Sequence, residues 1–401
     1  MQAPTLPMSS TSPSALAALS PALLSLFLVY LVLGLSLPVI PLQLAQALHL
    51  EPGLLGLVVG CLFVTSVLLR APAGRVADER GPRQAMRAGT GLALAAGAAY
   101  LVSWGCGTQR LAALLAIALG QVLLGAASSF TATGALGWGV ARLGADKAGR
   151  VMSWAGTAMF LAFALGAPAG SWLWHQQGFG AWALVETLLA GLVALSLRRL
   201  PPQAPRQSSA RSRVSMLRTV VWPGLGLALA SVGFAAVTVF AAALYRAHGW
   251  DMGWQAMSVF SASVVLSRLL LGHWPDRFGG ARVALAAAGL EALGLVQLGL
   301  ADSPARAVLG AACAGTGFGL VFPGLGVVAV RLADPQRRGT AMGLYAAFLD
   351  LTLGVASPLL GLVSAAHGLG GVFITASACA LLAMVAAWGL QRGSAARAMG
   401  A

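Results

Sequence analysis

Twelve long apolar stretches, separated by short charged gaps, divide this 401-residue chain. Hydrophobic residues make up 58% of it and charged residues only 9%, which is too few to cover the surface of a soluble fold. A helix needs about 20 mostly apolar residues to cross the hydrocarbon core of a bilayer. The sequence therefore predicts an all-α membrane protein with twelve transmembrane helices, at roughly 16–41, 54–75, 84–104, 111–140, 150–174, 180–197, 219–245, 254–273, 282–301, 304–330, 340–366 and 369–391.

A charged motif, Arg-x3-Gly-x3-Asp-x2-Gly, occurs twice, and each residue of its second copy lies 198 positions after its counterpart in the first. This interval is close to half the length of the chain. Internal repeats of this size are typical of membrane transporters built from two related halves. The copies consist of Arg70, Gly74, Asp78 and Gly81, and of Arg268, Gly272, Asp276 and Gly279.

A second repeat supports the same division, because it relates the predicted helices 5 and 11. Three pairs of residues are separated by 190 positions: Gly149 and Gly339, Met152 and Met342, and Pro168 and Pro358. The segment between the halves breaks the apolar pattern with prolines, serines and arginines. We expect two pseudo-symmetric six-helix bundles in this order: a polar N-terminal tail 1–15, a bundle 16–197, a cytoplasmic linker 198–218, a bundle 219–391 and a C-terminal tail 392–401.

Basic residues are confined almost entirely to alternate gaps between the predicted helices. Twenty-two of the 25 lie in the even-numbered gaps and the C-terminal tail, whereas the odd-numbered gaps hold only Arg110, Arg246 and Arg306. Cytoplasmic loops of membrane proteins carry the excess of Lys and Arg. Both termini are therefore expected on the cytoplasmic side. Scattering in short gaps also argues against a nucleic-acid-binding face, despite the net charge of +14.

The two copies of the motif resemble the signature loops of a known transporter family. The sequence GRVADERG at 74–81 resembles the loop between helices 2 and 3 of the major facilitator superfamily. The sequence GHWPDRFG at 272–279 resembles its weaker copy between helices 8 and 9. The stretches 37–41, 134–139 and 151–154 look like the bacterial YfcJ/YhhS-type, arabinose-efflux-like branch, and the resemblance covers nearly the whole chain.

This resemblance implies a carrier of the bacterial cytoplasmic membrane with one central cavity between its halves. Helices 1, 4, 7 and 10 would line the cavity, and helices 2, 5, 8 and 11 would form the moving seam. Polar and aromatic residues on the cavity helices are candidates for a weakly polar substrate lining, which suits a neutral, zwitterionic or amphipathic solute. They are Tyr30, Ser36, Gln121, Ser128, Ser129, Thr133, Ser231, Thr238, Thr316 and Phe322.

The repeated loops are candidates for a cytoplasmic gate. Asp78 and Asp276 follow helices 2 and 8, where a carboxylate can reach the positive N-terminus of a neighbouring helix. Such a contact can hold one state closed and break in the other. The alternative is that the loops provide only orientation charge and a tight turn. The candidate gate residues are Arg70, Gly74, Asp78, Arg80, Gly81, Arg268, Gly272, Asp276, Arg277 and Gly279.

The chain departs from the family pattern at positions that matter for proton coupling. Glu79 and Pro82 stand where the first loop usually has basic residues. Gln121 stands where proton-coupled relatives carry Arg, and Ser128 where this branch tends to have an acid. Conventional coupling through helix 4 is therefore in doubt.

Three acidic residues fall inside apolar stretches: Glu186, Glu291 and Asp350. A charge at mid-helix costs about 2.5–3.5 kcal/mol on insertion scales, so each needs a partner, water or a proton. Asp350 lies on a seam helix and is the candidate for proton coupling, with a structural hydrogen bond as the alternative. For Glu186 and Glu291, on peripheral helices, we expect a role in packing or at the lipid side.

These features favour a monomeric secondary transporter that exports a small organic solute across the lipid bilayer in exchange for protons. An importer or facilitator of a sugar or metabolite is the alternative within this class. An intramembrane enzyme or a receptor is a remote one, because the chain has no HExxH, GxSxG or P-loop motif. The four cysteines form no CxxC pair, so neither zinc nor a disulfide framework is indicated, and no metal or cofactor is expected.

Overall fold

The computed structural model of the protein describes residues 15–107, 109–144, 148–201, 203, 210–333 and 338–399. Twelve α-helices make up nearly all of this part, together with a π-helical turn at Gln43–Ala47 and a 3-10 turn at Leu197–Arg199. The helices are α1 Ala15–Leu42, α2 Pro52–Leu68, α3 Arg70–Arg80, α4 Pro82–Gly105, α5 Arg110–Leu143, α6 Ala148–Ser196, α7 Ala210–Ala247, α8 Gln255–Leu271, α9 Trp274–Phe278, α10 Gly280–Gly299, α11 Pro304–Leu332 and α12 Arg338–Met399.

The predicted all-α membrane fold is confirmed. Within the described ranges, nine helical spans are long and apolar enough to cross a bilayer, and the 17-residue α8 is a shorter apolar helix. Two of the nine, α6 and α12, each contain a break at a glycine with positive φ: Gly178 at 77° and Gly368 at 74°. Each therefore comprises two segments. With these two spans divided and α8 added, the nine spans are consistent with the twelve transmembrane helices predicted.

Helix boundaries follow local sequence signals. Proline occupies the first helical position of α2, α4 and α11, where its missing N–H costs nothing and its fixed φ suits the helix. The predicted second helix, 54–75, is in fact two helices, since α2 ends at Leu68 and α3 begins at Arg70. Helix α7 begins at Ala210, nine residues before the predicted start and within the segment 198–218.

Glycines set the closest helix contacts inside each half. A Cβ atom added at Gly166 in α6 would lie 2.9 Å from Cα of Gly34 in α1. A Cβ atom at Gly310 in α11 would lie 2.7 Å from the carbonyl oxygen of Gly294 in α10. Such small residues let membrane helices pack backbone against backbone.

The described helices form two groups that contact each other along two seams. Helices α1 to α6 pack among themselves and form the N-terminal half, while α7 to α12 form the C-terminal half. The seams between the halves consist of α6 against α8, and of α2 against α12. At the second seam, a Cβ atom at Gly354 would lie 3.0 Å from Cβ of Val67.

Candidate functional site

The two copies of the charged motif end in the same backbone turn. Gly81 has a φ of 92° and Gly279 a φ of 93°, and each residue separates a short helix from the long helix that follows. Residues with a side chain rarely adopt this conformation, so both positions require glycine. The repeat recognised in the sequence is therefore also a repeat in backbone geometry.

The helices leading to these turns differ between the copies. In the first copy α2 ends before Arg70, and the eleven residues of α3 carry Gly74, Asp78 and Arg80. Asp78 is half-buried, Arg80 is exposed, and Arg70 and Asp78 each take part in contacts within the fold. The turn also meets the segment after α6, because a Cβ atom at Gly81 would lie 2.9 Å from the Gln203 carbonyl oxygen.

In the second copy Arg268 lies inside α8 and not in the gap after it. Helix α8 continues to Leu271, Gly272 follows it, and the five residues of α9 carry Asp276 and Arg277. Both Asp276 and Arg277 are exposed, and the Arg277 guanidinium lies 5.3 Å from the ring centre of Phe278. The equivalent arginines of the two copies therefore have different positions, since Arg70 begins α3 and Arg268 lies inside α8.

The guanidinium of Arg268 lies between the two halves. Its Cζ atom is 5.3 Å from the ring centre of Phe160 in α6 and 5.4 Å from that of Phe322 in α11. Its Nε donates a hydrogen bond of 3.2 Å to the carbonyl oxygen of Gly319. Its Nη1 is buried without a hydrogen-bond partner among the described residues, and a side chain at Gly156 of α6 would clash with it.

Five phenylalanine rings form a cluster beside this cation and join the halves. Phe160 of the N-terminal half lies 5.1 Å from Phe234 and 5.9 Å from Phe318 of the C-terminal half, measured between ring centres. Phe260 stacks on Phe234 at 5.8 Å, and Phe163 lies 6.1 Å from Phe160. Tilted and offset aromatic pairs of this kind stabilise a contact beyond the area that they bury.

Comparison with known proteins identifies the family of this two-half fold. The family model of the Major Facilitator Superfamily matches residues 22–255 and 224–398. The chain belongs to the major facilitator superfamily. The resemblance stated from the two loops is thereby confirmed, and members of this superfamily move solutes across membranes.

Similar curated proteins in this superfamily are named as transporters of uncharacterised function. One from Salmonella typhimurium is 40% identical over 361 residues, which cover 89% of this chain and 92% of the relative. YhhS of Escherichia coli K12 is 35% identical over 370 residues, covering 91% and 90%. A relative from Burkholderia pseudomallei is 35% identical over 354 residues, covering 88% and 87%. These matches confirm the resemblance to the YhhS-type branch.

Two solved structures share the fold. The human organic anion transporter MFSD10 superposes with a TM-score of 0.69 at 20% identity, covering 94% of this chain and all of that one. A point mutant of the nucleoside transporter NupG superposes with a TM-score of 0.70 at 15% identity, covering 93% and 99%. At these identities the likeness concerns the fold alone.

Most of the candidate hydroxyls lie on α1, α5, α7 and α11, which correspond to the predicted cavity helices 1, 4, 7 and 10, and bond to their own helix. Ser36 donates to the Leu33 carbonyl, Ser231 to Leu227 and Thr316 to Ala312, at 2.7–2.9 Å. Ser128 donates to Gly125 at 2.8 Å and lies 3.3 Å from Ser66. Back-bonding of this kind satisfies a hydroxyl without a ligand.

The other predicted cavity residues fall into three groups. Ser129 and Thr133 have buried hydroxyls without a partner among the described residues, and Gln121 is buried further along the same helix, α5. Thr238 bonds to the Phe234 carbonyl and lines a cavity of about 10 Å³ between the halves. Tyr30 and Phe322 adjoin the aromatic cluster, because Tyr30 lies 5.6 Å from Phe163 and Phe322 contacts Arg268.

The acidic residues at 186 and 291 are fully buried inside their halves. Neither carboxylate has a hydrogen-bond partner in the described part of the chain. A Cβ atom at Gly233 of α7 would lie 2.6 Å from Oε1 of Glu291, so this side chain points into the C-terminal half. Both Glu186 and Glu291 therefore pack internally and not at the lipid side. Asp350 belongs to α12, and its side chain lies outside the described residues.

The aromatic cluster and the contacts of Arg268 could not be predicted from the sequence. The five rings come from four helices, and only the rotation of each helix about its axis brings them together. Arg268 falls within the predicted helix 254–273, although the count of basic residues assigns it to the gap after that helix. Helix α8, which ends at Leu271, agrees with the predicted span.

Proposed function

We propose that the protein is a secondary active transporter that exports a small organic solute by alternating access, driven by the proton gradient. The observation that carries the proposal is the contact of Arg268 with Phe160 across the boundary between the halves. The Phe160 ring also lies 6.5 Å from that of Phe260 in α8, and alternating access would separate both pairs while each half keeps its own packing. Switching of this kind needs an element with two discrete arrangements.

The two repeated loops would act as the gate on the cytoplasmic side. Both end at a glycine with the same φ, which supports equivalent roles in the two halves. The first loop also meets the Gln203 carbonyl after α6, so a change in this loop would reach the connection between the halves. The excess of Lys and Arg in alternate gaps supports cytoplasmic termini in a bacterial inner membrane.

A proton-binding carboxyl is the other requirement of the proposal. Asp350 on α12 remains the candidate, since it lies on a helix of the α2–α12 seam. Glu186 and Glu291 are further candidates, because a buried carboxyl without a partner is costly unless it carries a proton. Coupling through α5, which corresponds to the predicted helix 4, has less support, because Gln121 and Ser128 are uncharged.

Small organic solutes are the substrate class that the comparisons support. The named cargo of one solved structure is an organic anion and that of the other a nucleoside. An importer or facilitator remains the second candidate, because the direction of transport is taken from the family likeness alone.

Comparison of metabolites inside and outside cells, with and without the protein, would identify the solute and the direction. Counterflow of that solute in proteoliposomes, with and without a pH gradient, would then test coupling. Export of the solute against its own gradient only when a pH gradient is imposed would support the proposal. Equal flux without a pH gradient would identify the protein as a facilitator. Unchanged gradient-driven transport and pH dependence in Asp350→Asn would exclude coupling through Asp350.

A further inference from the structure

Arg268 carries a positive charge that the described residues around it do not balance. Its only hydrogen bond among the described residues runs from Nε to a neutral carbonyl, that of Gly319. Nη1 is buried and has no partner there. No carboxylate of the described residues forms an ion pair with it, and the hydroxyl of nearby Tyr345 donates to the Phe322 carbonyl at 2.8 Å. A guanidinium in this setting retains the capacity to bind an anion.

The position of this cation suits a transported ligand better than a structural partner. Arg268 belongs to the C-terminal half, yet its free Nη1 faces Gly156 of the N-terminal half. Separation of α6 from α8 would therefore open space directly in front of the unpaired donor. Glycine at 156 leaves no side chain to fill that space.

The surroundings of the cation select the rest of the ligand. Phe160 and Phe322 lie on the guanidinium, and the rings of Phe234, Phe260 and Phe318 continue from Phe160 at 5.1–6.5 Å between centres. Parting of the halves would expose these rings beside Arg268. A strongly hydrated inorganic anion gains nothing from such a surface, whereas an aromatic or aliphatic body does. An organic cation would be repelled by Arg268.

We propose that Arg268 binds the acidic group of the transported solute, which is an organic anion with an aromatic or otherwise apolar body. This inference rests on the proposed function as a transporter. It agrees with export, because the interior of a cell is electrically negative and an anion moves outward down the electrical gradient. Binding also supplies the counter-charge that the described residues do not.

Binding of three probes to the full-length protein in lipid nanodiscs tests the inference. They are 1-naphthoate, its neutral analogue 1-naphthamide, and acetate, which has the charge without the rings. We expect 1-naphthoate to bind about tenfold more tightly than either of the others. Arg268→Gln should weaken 1-naphthoate to the level of 1-naphthamide and leave 1-naphthamide unchanged. Arg268→Lys should keep most of the preference, since it keeps the charge.

Arg306→Gln is the matched control, because it removes an arginine that is paired at the surface with Asp302. It should leave the binding of all three probes unchanged. Equal binding of 1-naphthoate and 1-naphthamide to the unaltered protein, or no binding of 1-naphthoate, would overturn the inference. So would a preference that persists in an Arg268→Gln variant with an unchanged melting temperature.

Flux measurements separate this inference from the proposed function. Solute flux in proteoliposomes that does not depend on Arg268 would preserve the transporter and refute the anion site. Binding of 1-naphthoate through Arg268 without any protein-dependent flux of the solutes tested would preserve the anion site and count against the proposed transport function.

Discussion

The Cζ atom of Arg268 lies 5.3 Å from the ring centre of Phe160, so a cation of the C-terminal half rests on an aromatic face of the N-terminal half. The strength of such a contact ranges from about 0.5–1 kcal/mol at exposed sites to about 2 kcal/mol when desolvated. A contact of this strength can break in a thermally driven transition. The same residue pair thus links the repeated motif to the motion that alternating access requires.

Gly156→Val should displace Arg268 and weaken this seam. The added side chain would clash with Nη1, at the end of the flexible Arg268 side chain, so the guanidinium must move away from Phe160 and the contact between α6 and α8 is weakened at this level. Met152 of α6 is nearly buried, and a cysteine introduced there in a cysteine-free background reports separation of the two helices. We expect faster labelling of Met152→Cys by a maleimide reagent in the Gly156→Val variant than in its parent.

Gly191→Val provides the control for that experiment, because no atom lies within 4 Å of a Cβ added at Gly191 in the same helix. It should leave the labelling rate at the parent value. Equal labelling of the Gly156→Val variant and its parent would show that the close approach at Gly156 does not hold the seam closed.

Gly81→Ala and Gly279→Ala should each destabilise the protein. Both residues have a φ above 90°, and an alanine forced into such a conformation costs about 1–3 kcal/mol. Gly91→Ala is the matched change inside α4, where a Cβ atom meets nothing within 4 Å, and it should be neutral or slightly stabilising. Thermal unfolding in detergent checks all three. Similar melting temperatures for Gly81→Ala and Gly91→Ala would contradict the assignment of a shared strained turn.

Glu291→Met should stabilise the fold and impair transport. An unpartnered buried polar group costs about 1–3 kcal/mol, and an apolar side chain of similar size removes that cost. Glu51→Met, at an exposed position, should bring no such gain. Unfolding curves measure the first effect, and flux in proteoliposomes measures the second. Higher stability with undiminished, pH-dependent flux would exclude Glu291 as a proton-binding group.

The sequence predicted the parts of the fold that depend on local composition and on repetition. Apolar length predicted the membrane helices, and the motif interval of 198 predicted the paired turns at Gly81 and Gly279. The interval of 190 found for Pro168 and Pro358 also separates Gly178 from Gly368, the two helix breaks. That second pair was available in the sequence, but a glycine reveals its positive φ only in the folded chain.

Side-chain environments were predicted less well, for a physical reason. Ser231 is predicted to line the cavity because of its helix, and only the structure shows that its hydroxyl bonds to the Leu227 carbonyl one turn earlier. For Glu291 a role in packing or at the lipid side is predicted, and only the structure shows that its side chain points at Gly233 inside the bundle. Helix assignment does not determine rotation about the helix axis, and rotation decides what each side chain contacts.

Distances between spin labels at the two ends of the bundles test alternating access most directly. Labels at Arg142 and Arg331 report the C-terminal ends of α5 and α11, and labels at Leu111 and Ala305 report their N-terminal ends; all four positions are exposed. Introducing Gly156→Val should lengthen the distance between 142 and 331 and shorten that between 111 and 305. Unchanged distances, or a change of the same sign at both ends, would contradict a rocking motion of the two halves.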